Sequence, residues 1–292
     1  FSPNYPESSR VIKQLNGRGL QESTCYPDSS RNIPFFHTGL LIWVTKIVDY
    51  QLNLLTLNIM AYQELSGNIF SSKCQVLVNT VNCVGDMGKG IALEFKRRFP
   101  EMEMEYKKFC TSKELRPGGI LPYRKNTPWI FNFAVKDHWR YPSKVTWVED
   151  CLSKFRDNYK HWNVESIALP WMGTANGGLS KDRVQELTRE YLEDLNDLIV
   201  EVYSFDGDAE DPLYEPLMRS LRNLSVEDFA KKSGLQKSKV SGIFDFYNSG
   251  QLTSFFSLVS SGVLGSTSLD KLYLFLNKSK DSESFQAKLD LK

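Results

Sequence analysis

The chain has 292 residues, of which 41% are hydrophobic and 24% charged, a composition typical of a globular protein with a real core. Its net charge of +1 excludes a global basic field, so any binding of nucleic acid must depend on a local patch. Five cysteines without CxxC spacing favour reduced thiols in a cytoplasmic protein over disulfides or a zinc site. Three scattered histidines do not suggest a metal cluster, so we expect neither a metal nor another cofactor.

Residues 1–58 carry the weakest signals. Pro, Ser, Asn and Arg are frequent up to residue 32, which is typical of a mobile arm. Residues 40–48 are apolar but too short to span a bilayer, and they lack the flanks of a clean signal peptide. We predict that the apolar stretch packs on the following domain as an extra strand or helix. We also predict that residues 1–58 carry no chemistry and that the protein does not use a membrane.

From residue 59 onward, short apolar runs alternate with amphipathic segments, which is typical of an α/β fold. We predict a first strand at residues 62–65, followed by strands at residues 76–78, 120–123, 129–135, 166–170 and 199–205. Helical spacing predicts a helix from residue 91 to Phe99-Pro100, and others at residues 102–111, 147–162 and 182–198. We expect a mixed, mostly parallel sheet between helical layers, a three-layer α/β/α sandwich over residues 59–206.

Two glycine-rich loops follow strands of this predicted sheet. The first reads NTVNCVGDMGKGI (residues 79–91), and the second reads WMGTANGGL (residues 171–179). Glycines let backbone N–H groups approach an anion, and the first turn of a following helix offers unpaired donors. One such loop is more often plain structure. Two loops at the carboxyl edge of one sheet could hold the two phosphates of a diphosphate from opposite sides.

These loops carry a resemblance to a known family. VNTVNCVGDMGKGIALEFKRRFP (residues 78–100) resembles the first ligand loop of a macrodomain, and ALPWMGTANGGL (residues 168–179) resembles the second. Between them, IFNFAVKDHWR (residues 130–140) is similar to a segment of the DarG-type antitoxin macrodomains, which remove ADP-ribose from DNA. The human terminal ADP-ribose glycohydrolase is related to that branch. The resemblance covers residues 60–205 and implies a macrodomain fold and a glycohydrolase activity.

The resemblance implies that Lys136 is catalytic. An amine whose pKa is lowered by burial can attack an opened sugar aldehyde and form a Schiff base. The loops hold no pair of carboxylates suited to glycosidase chemistry, because Asp86 stands alone in the first of them. From the residues alone, an exposed lysine paired with Asp137 is the alternative.

The resemblance also implies contacts with ADP-ribose. Asn82, and with it Asn79, would bind the distal ribose, with capping of a turn as the alternative for either. Asn68, where macrodomains usually have Asp, would contact adenine beside Ile69, unless Gly67-Asn68 is merely a turn. The residues that would hold the phosphates are Gly88, Lys89, Gly90 and Ile91 in the first loop, and Gly173, Thr174, Ala175, Asn176 and Gly177 in the second.

Candidates for contact with nucleic acid follow Lys136 in the chain. His138 and Trp139 could stack on a base, although Trp139 could equally belong to the core. Arg140 and Lys89 could pair with phosphate or remain solvated charges. The implied ligands are ADP-ribose or ADP-ribosylated nucleic acid, with thymidine in DNA as the modified base, and the implied partner is a cognate ADP-ribosyltransferase toxin.

Two departures from the family pattern leave an alternative function open. Asn68 replaces the usual Asp, and Thr174 and Ala175 replace the usual Cys and Gly of the second loop. The alternative is a domain that binds ADP-ribose without turnover.

The composition of residues 206–215 is acidic and includes proline, which indicates a boundary before a small helical region at residues 207–292. Ser225 caps a predicted helix that ends in a glycine turn at Gly234, and a second helix covers residues 236–247. This spacing resembles a helix-turn-helix. The aromatic residues of the region are typical of a core, namely Phe244, Phe246, Phe255 and Phe256. A packing or partner-docking module is therefore favoured, with sequence-specific DNA binding as the alternative.

Overall fold

The structure, a computed structural model, describes residues 61–290, with side chains through residue 278. The prediction for residues 1–58 lies outside these residues. A six-stranded sheet forms the centre, with strands β1 (Tyr62–Gly67), β2 (Val76–Val81), β3 (Ile120–Tyr123), β4 (Trp129–Ala134), β5 (Ser166–Pro170) and β6 (Ile199–Phe205). Their order is β1-β6-β5-β2-β4-β3, and β3 runs antiparallel to β4 while the other neighbours are parallel. The predicted mixed, mostly parallel sheet is confirmed.

Helices cover the sheet and continue beyond it. Those connecting the strands are α1 (Gly90–Arg98), α2 (Pro100–Thr111), α3 (Val145–Asn158) and α4 (Lys181–Leu192). The helices after the last strand are α5 (Tyr214–Asn223), α6 (Val226–Ser233), α7 (Lys237–Asn248), α8 (Phe255–Ser260) and α9 (Ser266–Asp290). The predicted helical region at the carboxyl end of the chain is therefore present.

The central strands β2, β4 and β5 are buried on both faces, which explains why they are mainly apolar. Successive side chains of a strand point to opposite faces. Val76 and Val78 accordingly join a core with residues of α3 and α4, whereas Leu77 joins a second core with residues of α1 and α2. The arrangement is the predicted three-layer α/β/α sandwich.

Several predicted elements have other bounds in the structure; the helix predicted at residues 147–162, for instance, covers Val145–Asn158. The strand predicted at residues 76–78 continues to Val81, so that Asn79 lies inside β2 and not after it. The helix predicted to end at residue 198 ends at Leu192, where Arg156 of α3 donates to the carbonyl oxygen of Tyr191 at 2.8 Å. Leu195 remains buried in the following turn, so apolar spacing persisted after the helical backbone had ended.

The helices at the carboxyl end have a core of their own and also pack against α1. Leu217, Phe229 and Leu272 are buried in that core. From α9, Tyr273 donates its hydroxyl to Glu94 of α1 at 2.6 Å, and Asp270 accepts from Arg97 at 2.9 Å. The composition change near residue 206 therefore precedes a region that shares a polar interface with the sandwich.

The described residues contain no helix with the length and apolarity needed to cross a membrane. Within the same residues, no group of His, Cys, Asp or Glu side chains could hold a metal ion. Cys74, Cys83, Cys110 and Cys151 are free, as predicted, while Cys25 lies outside the described part of the chain. Burial raises the pKa of the Cys151 thiol to about 12, so this cysteine stays protonated at neutral pH.

Candidate active site

A crevice with a volume of about 1190 Å³ opens at the carboxyl edge of the sheet. Its lining includes the residues that end or follow each parallel strand, namely Gly67, Val81, Asn82, Val135, Lys136, Pro170, Trp171, Ser204 and Phe205. Open α/β sheets bind ligands at this edge. The crevice is therefore where a ligand is expected.

The first glycine loop forms one side of the crevice, which Gly88, Lys89, Gly90 and Ile91 line as predicted. Helix α1 begins at Gly90, whose φ is 59°, and no side chain caps its first turn. A positive φ favours glycine, and an uncapped first turn leaves backbone N–H groups without intrahelical partners. These groups and the helix dipole suit an anion.

The second glycine loop forms the opposite side, and all five residues predicted for it line the crevice. Gly173 has a φ of 71°. A Cβ atom at Gly177 would lie 2.3 Å from the carbonyl oxygen of Gly173 and 2.4 Å from Ser143 Oγ. Glycine at position 177 is therefore a requirement of the folded loop.

The two loops touch each other, and Lys136 reaches the second one. A Cβ atom at Gly90 would lie 2.5 Å from Asn176 Nδ2. The Lys136 backbone continues from β4 and donates to Val81 at the end of β2 at 3.3 Å, while its ammonium donates to the carbonyl oxygen of Asn176. The three sequence motifs thus meet at one site.

Lys136 is half-buried, and burial lowers the pKa of its ammonium below the usual lysine value. Among the described residues it has no carboxylate partner, so the alternative of an ion pair with Asp137 is wrong. Asp137 is instead exposed, and its backbone carbonyl accepts from Cys83 at 3.0 Å. A larger neutral fraction of the Lys136 amine is what a nucleophilic lysine needs.

Asn79 is not at the crevice, which corrects the prediction that it binds the distal ribose. Its side chain is fully buried, and Nδ2 donates to Oδ1 of Asn132 at 2.9 Å. The two residues are paired directly across β2 and β4. Asn79 therefore connects β2 to β4 by a hydrogen bond. The strand β2 extends beyond the apolar run at residues 76–78, so Asn79 lies within it.

Asn82 lies at the crevice, 7% exposed, and also caps the first loop. Its Oδ1 accepts from the backbone of Val84 at 3.0 Å, and its Nδ2 donates to the carbonyl oxygen of Asp86 at 2.6 Å. The hydroxyl of Tyr106 donates to its carbonyl oxygen at 2.7 Å. The capping alternative is thus correct. An amide nitrogen carries two protons, and the bond to Asp86 uses one of them. The other could donate to ribose, and this contact stays a prediction.

Asn68 caps a one-turn 3-10 helix, Ile69–Ser71, whereas Gly67 ends β1 and the Asn68 backbone is extended, so the alternative that Gly67-Asn68 is merely a turn is wrong. Its Oδ1 accepts from the backbone of Phe70 at 3.1 Å, and its Nδ2 donates to Asp211 at 2.7 Å. Asn68 and Ile69 both line the crevice, and their contact with adenine stays a prediction. The carboxylate absent at position 68 is present nearby as Asp211.

Trp139 is 49% exposed and lines the crevice, so the alternative that it belongs to the core is wrong. The Arg140 guanidinium lies 4.8 Å from the centre of the Trp139 ring, and the His138 ring lies 5.3 Å from it. Aromatic and cationic groups are thus clustered beside Lys136. Their contact with nucleic acid stays a prediction.

The motifs did not identify several residues that line the crevice, and Ser143, Phe205 and Phe256 are three of them. Ser143 is 5% exposed, and its hydroxyl has no hydrogen-bond partner among the described residues. The Phe205 and Phe256 rings lie edge to face at 5.0 Å and are 64% and 44% exposed.

The prediction that Phe256 belongs to the core is wrong, whereas Phe255 is 1% exposed and does belong to it. Adjacent helical residues point about 100° apart, which was the available signal that these two phenylalanines would differ. Exposed aromatic rings at the rim of a crevice are typical of a ligand site.

Residues 78–188 match the family model of the Macro domain. This part of the chain is a macrodomain by its sequence. A curated DNA ADP-ribosyl glycohydrolase of Thermus aquaticus is 42% identical over 141 residues, which is 47% of this chain and 39% of that protein. A DNA ADP-ribosyl transferase-DNA ADP-ribosyl glycohydrolase fusion protein of Thermosipho africanus is 30% identical over 158 residues, 48% of this chain and 40% of that protein.

The solved macrodomain of Thermus aquaticus DarG is 41% identical, with a TM-score of 0.47, and the match covers 49% of this chain and 97% of that one. The chain spans about two fifths of the length of the curated relatives that it matches, 39% and 40% of them. The α5–α9 region lies beyond the residues that the family model matches.

Proposed function

We propose that this protein is a glycohydrolase that removes ADP-ribose from modified DNA, with Lys136 as its nucleophile. The observation that carries the proposal is the meeting of Lys136 with both glycine loops in one crevice. A diphosphate held between the loops would place its attached ribose near the carboxyl end of β4. Lys136 lies just after this end. The motifs of the macrodomain thus serve one substrate.

Binding of the diphosphate is supported by donors that lack partners in the folded chain. The first turn of α1 offers backbone N–H groups and a positive dipole end. The Ser143 hydroxyl, buried behind the second loop, can donate to a phosphate oxygen. Satisfying a buried polar atom on binding removes a desolvation penalty that the empty crevice carries.

The chemistry follows from the neutral amine of Lys136. The amine adds to C1″ of the ribose as the bond from C1″ to the base nitrogen breaks, and the base nitrogen takes up the proton that the amine releases. The sugar ring then opens to a Schiff base between C1″ and Lys136, and the second amine proton moves to the ring oxygen. Water then adds to the resulting Schiff base, releases ADP-ribose and restores the amine. Burial keeps a larger fraction of the amine neutral at a given pH than an exposed lysine would have.

DNA as the carrier of the modification, most simply at thymidine, is supported by the names of the two relatives and by the exposed rings beside Lys136. Trp139 can stack on an unpaired base while Arg140 contacts phosphate. The Thermosipho africanus fusion protein joins a transferase to a glycohydrolase. A cognate ADP-ribosyltransferase toxin is accordingly the partner proposed for this chain, with removal of ADP-ribose as its antitoxin activity.

The test compares release of ADP-ribose from thymidine-modified single-stranded DNA with release from ADP-ribosylated protein. We expect release from DNA, slowed about 100-fold or more in Lys136→Ala. Calorimetry should show that ADP-ribose still binds to the Lys136→Ala protein, because the loops and Ser143 are unchanged. Release from protein alone would contradict the DNA substrate.

A second candidate is a domain that binds ADP-ribose without turnover. It is favoured by Asn68, whose carbonyl oxygen already accepts from Phe70, and by Ala175 in the second loop. This candidate would be supported if the wild type and Lys136→Ala bound ADP-ribose equally and the wild type released ADP-ribose from neither modified DNA nor modified protein.

A further inference from the structure

Helices α6 and α7 are joined by a tight turn at Gly234. This residue has a φ of 68°, and its N–H donates to the carbonyl oxygen of Ala230 at 3.0 Å. The Leu235 N–H then donates to Ser233 Oγ at 3.3 Å, and α7 begins at Lys237. Two short helices with a three-residue glycine turn between them form the outline of a helix-turn-helix.

The inner faces of the two helices pack into the core of the carboxyl-terminal region. Phe229 of α6 and Val240 and Ile243 of α7 are fully buried. The Phe229 ring lies 6.2 Å from Phe244 of α7 and 5.2 Å from Phe275 of α9. Because this packing fixes α7 on α6 and α9, one face of α7 is held outward in a fixed orientation.

The outward face of α7 is polar along its whole length. Residues three or four positions apart lie on one face of a helix. Lys237, Ser241, Asp245 and Asn248 follow this spacing, with Ser238 beside them, and each is exposed or half-buried. Neither α6 nor α7 contributes a residue to the lining of the crevice. This face is therefore a surface distinct from the active site.

Lysines surround the turn between the helices. Lys231 and Lys232 are exposed in the last turn of α6, and Lys239 lies in the first turn of α7. None of the three pairs with a carboxylate among the described residues. Lys271 of α9 donates to the carbonyl oxygen of Gly234 at 3.0 Å, which holds a further ammonium at the turn.

Carboxylates near this surface are mostly engaged. Glu227 pairs with Lys237, and Asp228 accepts from the Ser225 hydroxyl at 2.8 Å at the start of α6. Asp245 lies on the outward face two turns after the start of α7. The unpaired positive charge is thus concentrated where α6 ends and α7 begins.

We infer that α6 and α7 form a helix-turn-helix that docks on duplex DNA. In this motif the first turns of the second helix enter the major groove, and flanking residues contact the backbone. Lys231, Lys232 and Lys239 would pair with phosphates, while Ser238 and Ser241 would face base edges. The inference goes beyond the proposed function and does not depend on it, since the DNA need carry no ADP-ribose.

The test measures binding of the full chain to an unmodified, fluorescently labelled duplex of about 20 base pairs, roughly two helical turns. We expect salt-dependent binding of the wild-type protein. Charge reversal in Lys231→Glu/Lys239→Glu should weaken it by more than about tenfold at low salt. The slope of log Kd against log salt concentration should fall by about 2, since two phosphate contacts are lost.

The matched control is Lys73→Glu/Lys108→Glu, which makes the same charge change at two exposed lysines of the sandwich. The control should bind DNA within about twofold of the wild type if the contacts are local. A third variant, Ser241→Glu, introduces a carboxylate on the outward face of α7 and should also weaken binding. Circular dichroism and the affinity for ADP-ribose should be unchanged in all three.

Absence of duplex binding by the wild type, or equal loss in the control and the lysine pair, would overturn the inference. The outward face of α7 would then be left to a protein partner. Because the probe is unmodified DNA, neither result depends on whether the crevice hydrolyses its substrate.

Discussion

Arg98 Nη2 lies 2.6 Å from Oδ2 of Asp211, and the two side chains are only 6% and 7% exposed. Asp211 lies between β6 and α5, whereas Arg98 ends α1, so this pair joins the carboxyl-terminal region to the sandwich. Burial opposes the charge of the Arg98 guanidinium, but the Asp211 carboxylate leaves its pKa above the usual value. Asn68 donates to the same carboxylate at 2.7 Å. The crevice wall at Asn68 is thus built around a buried ion pair.

Asp211→Ala should lower the free energy of unfolding by about 3 kcal/mol, because it leaves the buried Arg98 guanidinium with only the longer contact to Glu94, at 3.6 Å. Urea denaturation measures this change. The control is Glu186→Ala, which removes an exposed partner of Arg183 and should cost less than about 1 kcal/mol. Similar losses in the two variants would show that the buried pair has no special weight.

Gly177→Ala should weaken binding of ADP-ribose by more than about tenfold, because the added Cβ would lie 2.3 Å from the Gly173 carbonyl oxygen. Calorimetry with ADP-ribose measures the effect. Gly265→Ala is the matched control, since the φ of Gly265, like that of Gly177, is not positive, and no atom lies within 4 Å of its added Cβ. If Gly265→Ala bound ADP-ribose as weakly as Gly177→Ala, the overlap with the Gly173 carbonyl oxygen would not be the cause.

The rate of ADP-ribose release should rise with pH and then level off. In the proposed mechanism the nucleophile is the neutral amine of Lys136. Burial lowers the pKa of Lys136, so the plateau should begin below the value of about 10.4 for an exposed lysine. Single-turnover rates across a pH series provide the measurement. A rate that falls as the pH rises, over the range where the protein stays folded, would contradict a nucleophilic amine.

Phe256→Ala should weaken binding of ADP-ribose by about 3- to 10-fold, because it removes one exposed ring of the pair at the rim of the crevice. Binding of ribose 5-phosphate, which lacks the adenine base, should change little. Leu274→Ala is the control, since Leu274 is 47% exposed and does not line the crevice. If Phe256→Ala weakened binding of ADP-ribose and of ribose 5-phosphate equally, Phe256 would support the shape of the crevice and would not contact adenine.

Local patterns carried much of the fold and of the site. Apolar runs predicted most strands of the sheet, since a strand buried on both faces is mainly apolar. The two glycine loops and Lys136 were predicted to line one crevice, because parallel strands end at one edge of the sheet. These features depend on residues that are close together in the chain.

Other assignments failed because they depended on where a local element ends. The prediction puts Asn79 after its strand, whereas β2 includes both Asn79 and Thr80. The buried Asn79 amide is accommodated there because it donates to Asn132 on β4. An apolar run does not reveal that a buried amide will find its partner on a neighbouring strand. The outcome was decided by strand register.

By itself, the sequence determined the α/β sandwich, its two glycine loops and the position of the lysine between them. Only the tertiary structure decided that Asp211 approaches Asn68 and Arg98, that Ser143 lies unpaired behind the second loop, and that Phe256 faces the crevice. The physical reason is that helix and strand patterns follow local backbone geometry. Contacts between residues more than a hundred positions apart, such as Asp211 and Arg98, depend instead on how the helices pack.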